Sequence, residues 1–142
     1  TLSKAYGLAG IRLGICYAST EVISVLNKIK PPYNIKELSQ KRALERLADT
    51  DKISTEIASI IRQREDLLEV LLHVEFVKKI YPTEANFILV KVDDANKRYA
   101  ELIAKGIVIR NRTTQPLCDN CLRLTVGTEL ENRKLMAVLK QL

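Results

Sequence analysis

The chain has 142 residues, 46% of them hydrophobic and 28% charged, with 5 Gly and 4 Pro, which is one ordinary globular domain's worth and long enough to bury a core. No stretch is long and apolar enough to span a membrane, no secretory signal opens the chain, and a cytoplasmic location is expected. The net charge of +6 is dispersed among acids, as in Lys41-Arg42-Ala43-Leu44-Glu45-Arg46, and aromatics are only 5%, so a non-catalytic nucleic-acid-binding domain is disfavoured.

In chain order, residues 1–14 are punctuated by glycine and read as a loop built for close backbone approach. Residues 15–19 read as a short apolar strand and 21–29 as a short helix. Pro31-Pro32-Tyr33-Asn34 breaks any helix and marks the joint between two parts, 1–30 and 31–142. A helix is expected over 35–48 with Leu38, Leu44 and Leu47 on one side. Thr50 or Asp51 then caps a long second helix whose core face carries Ile53, Ile57, Ile60, Ile61, Leu67, Leu68 and Leu71. Arg62, Arg64, Glu65 and Asp66 face water on its other side.

The β-branched and aromatic run 86–92 reads as a buried strand, and 94–105 as a helix ended by Gly106. Two more strands follow at 107–110 and 122–126. A closing helix over 129–142 is capped by Thr128, with Asn132 and Arg133 outside. The fold class is therefore α/β, with helices packed on a small, mostly antiparallel sheet.

Three cysteines, an odd number, suggest free thiols in a reducing compartment. Cys118-Asp119-Asn120-Cys121 is formally a CxxC, but a structural zinc site needs two more ligands and the single His73 lies far off in a helical stretch. A redox pair is expected at a helix start, whereas a strand follows here, so the pair reads as incidental and no metal site is expected.

Chemistry concentrates in two places. Lys4 stands in a loop with small neighbours Ala5, Gly7, Ala9 and Gly10, which leave room for a flat cofactor beside its amine. Thr1 and Ser3 offer hydroxyls, and Arg12 a guanidinium fork, to a phosphate. The second place is near the end. Arg110 closes one strand, and Arg123 interrupts the apolar Cys121-Leu122-Arg123-Leu124-Thr125-Val126, where an inward arginine would need an anionic partner.

Taken together, Thr1-Leu2-Ser3-Lys4-Ala5-Tyr6-Gly7-Leu8-Ala9-Gly10-Ile11-Arg12-Leu13-Gly14 resembles the lysine segment of fold-type I aminotransferases, most nearly the histidinol-phosphate aminotransferase family. Lysine, glycines and arginine all fall in register, the arginine eight positions after the lysine. The resemblance covers the whole chain, and residues 121–128 resemble the same family's C-terminal motif. It implies that Lys4 carries pyridoxal 5'-phosphate as a Schiff base and that Thr1, Ser3 and Arg12 hold the cofactor. It further implies that Arg123 grips a substrate carboxylate and that Arg110, thirteen residues earlier, lies near a substrate's phosphate end.

The implied reaction moves an amino group between histidinol phosphate and 2-oxoglutarate, with a small-molecule amino donor, a 2-oxo acid and a homodimer as partners. Threonine-phosphate decarboxylases and aromatic aminotransferases are the neighbouring alternatives. The family's acidic partner of the cofactor ring, its stacking aromatic and its glycine-rich phosphate loop have no counterpart in these residues. The chain is expected to be the C-terminal portion of such an enzyme. Residues 1–30 would be the remnant of the cofactor domain and 31–142 the small domain, with little activity alone.

Overall fold

The computed structural model describes all residues from Thr1 to Leu142. They form two compact units, Thr1–Ile57 and Ala58–Leu142, with the division falling inside one long helix.

In the first unit the glycine-punctuated segment is a chain of turns that includes a short 3-10 turn at Ala9–Ile11. Gly7 takes a positive φ of 65°, a conformation that costs other residues more. Helix α1 spans Thr20–Ile29, α2 spans Glu37–Ala48, and α3 begins at Thr50. The strand expected at 15–19 does not form. A strand is stabilised by pairing, and the only sheet lies in the other unit.

The expected apolar side of α2 is corrected too. Leu38 and Leu44 are 81% and 69% exposed, while Ala43 and Arg46 are the buried residues of that helix. No residue of α1 is buried, although Val22, Val25, Leu26 and Ile29 recur at helical spacing. Periodicity finds an apolar face; it does not say that the chain itself covers it.

The second unit is a four-stranded sheet with helices on one face. Its strands are β1 (Val77–Ile80), β2 (Phe87–Val92), β3 (Arg110–Asn111) and β4 (Cys121–Thr125), in the order β1-β2-β4-β3, and every pairing is antiparallel. Alternation decides the faces. Ile88, Val90, Val92, Leu122 and Leu124 pack against α3 (Thr50–Leu72), α4 (Ala95–Ala104) and α5 (Glu129–Leu139) through Leu67, Leu71, Leu102, Leu135 and Leu139. Phe87, Leu89, Lys91, Cys121, Arg123 and Thr125 occupy the opposite face.

Two helix ends follow their local sequence closely. Thr128 and Glu131 form a reciprocal capping box at the start of α5. At the end of α4 the Gly106 amide donates to the Ile103 carbonyl at 2.9 Å and the Ile107 amide to Leu102, with Gly106 at a φ of 76°. Asn132, expected outside α5, is instead 1% exposed. Its amide donates to Gln63 Oε1 at 3.0 Å and to the Gly127 carbonyl at 3.1 Å, and its Oδ1 accepts from the Gly127 amide at 2.9 Å. A buried polar side chain with all these partners is a structural joint.

Candidate active site

The first cluster is the opening segment. The Lys4 amide donates to the Thr1 carbonyl and the Gly7 amide to the Lys4 carbonyl, each at 3.1 Å, so the lysine sits in consecutive turns. Its side chain is exposed and belongs to no ion pair. Thr1 and Ser3 line a cleft of about 660 Å³ together with Tyr6, Leu13, Ile15 and Tyr17. Lys4 and Arg12 lie outside that lining. Arg12 is exposed and holds a left-handed φ of 56°, uncommon for a residue other than glycine.

Two side chains from α2 fix this segment. Arg46, 9% exposed, donates from Nε to the Tyr6 carbonyl at 2.9 Å and pairs with Glu56. The Ser39 hydroxyl donates to the Ile11 carbonyl at 3.3 Å. One contact lies two residues from Lys4 and the other adjoins Arg12. Arg46 is thus a positioning residue that pattern alone does not reveal, because a charged residue on a helix reads as solvated.

The second cluster lies on the face of the sheet away from the helices. Arg110 of β3 stands opposite Arg123 of β4, which in turn stands opposite Leu89 of β2. Like charges directly opposite each other destabilise a strand pair. Neither arginine has a carboxylate partner. The Arg123 guanidinium lies 5.0 Å from the Phe87 ring centroid, a cation–π contact that fixes its plane. Its Nε is buried without an acceptor, and so is the Thr113 hydroxyl just beyond β3. An unpaired buried donor costs about 1–3 kcal/mol, which an anionic ligand reaching it would offset.

Lys91 extends the positive face, with Asp119 4.0 Å away, and Lys79 lies 4.8 Å over the Tyr81 ring. Phe87 and Thr113 are the residues that the sequence did not single out here. Phe87 was legible in principle, since the two-residue period of β2 puts it on the face that β4 gives to Arg123. No group of three or more His, Cys, Asp or Glu side chains is placed to hold a metal ion.

Helices on one face of a small antiparallel sheet define the second unit as an α/β fold. The sequence model of the family described as aminotransferase class I and II matches residues 1–139, and the chain belongs to that family. It is 76% identical over 142 residues to the histidinol-phosphate aminotransferase of Flavobacterium johnsoniae, spanning all of this chain and 41% of that protein. Its identity to the protein of the same name from Flavobacterium psychrophilum is 58%, with the same coverage.

Among solved structures, the histidinol-phosphate aminotransferase from Clostridium acetobutylicum superposes with a TM-score of 0.90 at 27% identity, covering 99% of this chain and 43% of that one. L-threonine-O-3-phosphate decarboxylase from Porphyromonas gingivalis has a TM-score of 0.83 at 19% identity, with 99% and 44% covered, and shares the fold. The chain thus spans about two fifths of the length of the curated relatives that it matches.

Proposed function

We propose that the chain is part of a pyridoxal-phosphate-dependent transaminase that moves an amino group between histidinol phosphate and 2-oxoglutarate. The observation that carries this reading furthest is the Arg110–Arg123 pair: two cations in one cross-strand position, one with a buried unsatisfied donor. An arginine fork suits a carboxylate or a phosphate, and the two substrates present both. The high identity to proteins named histidinol-phosphate aminotransferase supports the same choice.

In this proposal Arg123 holds the carboxylate of the amino donor or the 2-oxo acid, and Arg110 favours the phosphorylated substrate. Lys4, exposed and without an ion-pair partner, anchors the cofactor and afterwards carries the proton at the substrate's α-carbon. Arg12 and the hydroxyls of Thr1 and Ser3 hold the cofactor's phosphate. The Thr1 and Ser3 hydroxyls on the cleft wall and the exposed Arg12 guanidinium in the same segment are the donor types that a phosphate needs, so the residues present fit the group. When bound, pyridoxal phosphate supplies the electron sink that makes the α-proton labile.

Residues 1–30 are assigned to the cofactor domain and 31–142 to the small domain, and the whole enzyme is read as a cytoplasmic homodimer. In support, residues 9–30 contribute no buried side chain to their own unit. The test is an assay of the whole protein with histidinol phosphate and 2-oxoglutarate. Glutamate formation is expected, and Arg110→Ala is expected to raise KM for histidinol phosphate more than for 2-oxoglutarate.

The decarboxylase fold likeness supports a second reading, action on threonine phosphate. Carbon dioxide release from threonine phosphate, with no glutamate formed from histidinol phosphate, would decide for it.

A further inference from the structure

Cys118 and Cys121 close a single turn, in which the Cys121 amide donates to the Cys118 carbonyl at 2.9 Å. Such a turn brings its first and fourth Cα atoms within about 7 Å, and a disulfide spans about 4.4–6.8 Å. The turn backbone is already fixed. Asn120, its third residue, takes a left-handed φ of 53°, which asparagine tolerates. The Asn120 carbonyl accepts from the Val92 amide at 2.9 Å, and its Oδ1 accepts from the Ala95 amide at 3.3 Å.

Both thiols are free, with Cys118 half-buried and Cys121 fully buried. Tyr81 completes the cluster: its hydroxyl is held above the usual range by burial first, and then by the Cys121 and Cys118 sulfurs close to it. The helix start that makes a CxxC reactive in other folds is absent, but a fixed turn brings the two cysteines together as well.

We propose that Cys118 and Cys121 form a dithiol exchange site that accepts low-molecular-weight disulfides of the glutathione type and closes into an internal disulfide at the head of β4. The difference in exposure sets the order of events. The Cys118 thiolate attacks one sulfur of the reagent, whose S–S bond breaks and releases one thiolate that takes up a proton. Cys121 then gives its proton to water and attacks the Cys118 sulfur, expelling the second reagent thiol. Two protein thiols are oxidised, and one reagent disulfide is reduced to two thiols. The new bond ties down the β3–β4 connection two residues before Arg123, on the face that carries Arg123.

The experiment treats the protein with oxidised glutathione, quenches with acid, unfolds, alkylates and maps the cysteine peptides by mass. Cys118 and Cys121 should lose alkylation together, in a peptide two hydrogens lighter, and dithiothreitol should restore both. Cys16, exposed, serves as the unpaired control and carries at most a glutathione adduct. In Cys118→Ser the buried Cys121 should stay unmodified, whereas Cys121→Ser should accumulate glutathione on Cys118. A wild-type protein that stops at a stable adduct on Cys118, with Cys121 still alkylated, overturns the proposal. So does a Cys121 that reacts in Cys118→Ser as readily as Cys118 does in the wild type.

Discussion

Arg110 and Arg123 face each other across β3 and β4, and no carboxylate compensates either one. Like charges opposite each other weaken a strand pair, and an anion held between the two forks would offset that repulsion. Without an anion, Arg110→Gln should raise stability by about 0.2–1 kcal/mol in low salt, a gain that shrinks as salt screens the repulsion. With phosphate or 2-oxoglutarate added, the wild type should gain more than the variant. Thermal unfolding in matched buffers reads both effects, and an equal response of the two proteins to the anion would remove the pair from the site.

Asn132 ties α5 to α3 and to the Gly127 backbone. Asn132→Ala leaves the buried Gln63 amide and the half-buried Gly127 backbone unpaired, at about 1–3 kcal/mol for each group kept from water. A total loss of about 3 kcal/mol is expected in urea unfolding, whereas the exposed Arg133→Ala should change little. A small effect at Asn132 would mean that water replaces its bonds.

Asn132 also shows where sequence reading stops. In the second unit β2, α4 and α5 were legible because each carries a periodic apolar face together with a turn or capping signal: Ile88, Val90 and Val92 in β2, Gly106 after α4, and Thr128 before α5. The strand expected at 107–110, in contrast, forms only at Arg110–Asn111. A polar residue in a helix reads as outward unless its partner is known, and Gln63 lies 69 residues away. The edge strand β1 was missed because Val77-Lys78-Lys79-Ile80 is four residues long, shows two lysines to solvent and has a register irregularity. The lysine loop was legible as a motif, but its support by Arg46 was not, since that contact spans 40 residues.

That support can be tested. Arg46→Ala removes a charged donor from the Tyr6 carbonyl and leaves Glu56 without its partner. Hydrogen bonds to charged groups contribute about 1.5–3 kcal/mol, so a loss of that order is expected. It should come with faster hydrogen exchange at the Leu8 amide, which donates to the Leu2 carbonyl at 2.9 Å. Unchanged exchange there would show that Arg46 does not position the segment.

Two carboxylates make stability depend on acid. The Arg98 guanidinium holds Asp93 well below the usual carboxylate range, chiefly through their hydrogen bonds at 3.0 and 2.7 Å. The Thr128 amide, and then its hydroxyl, lower Glu131. In both cases the folded state favours the ionised form. The contribution is therefore present above the unfolded carboxylate pKa of about 4 and is lost as pH falls through it and beyond. Urea midpoints should hold between pH 7 and pH 5 and fall toward pH 3, less steeply in Glu131→Gln. A midpoint that rises on acidification contradicts the assignment.

Lys4 is proposed as the residue that carries the cofactor. Absorbance of the whole protein reconstituted with pyridoxal phosphate tests it most directly. The wild type should show a visible band that sodium borohydride reduces and fixes on the peptide containing Lys4, and Lys4→Ala should bind the cofactor without that band. A band that persists in Lys4→Ala, or reduction that labels a different lysine, would exclude Lys4 from that role.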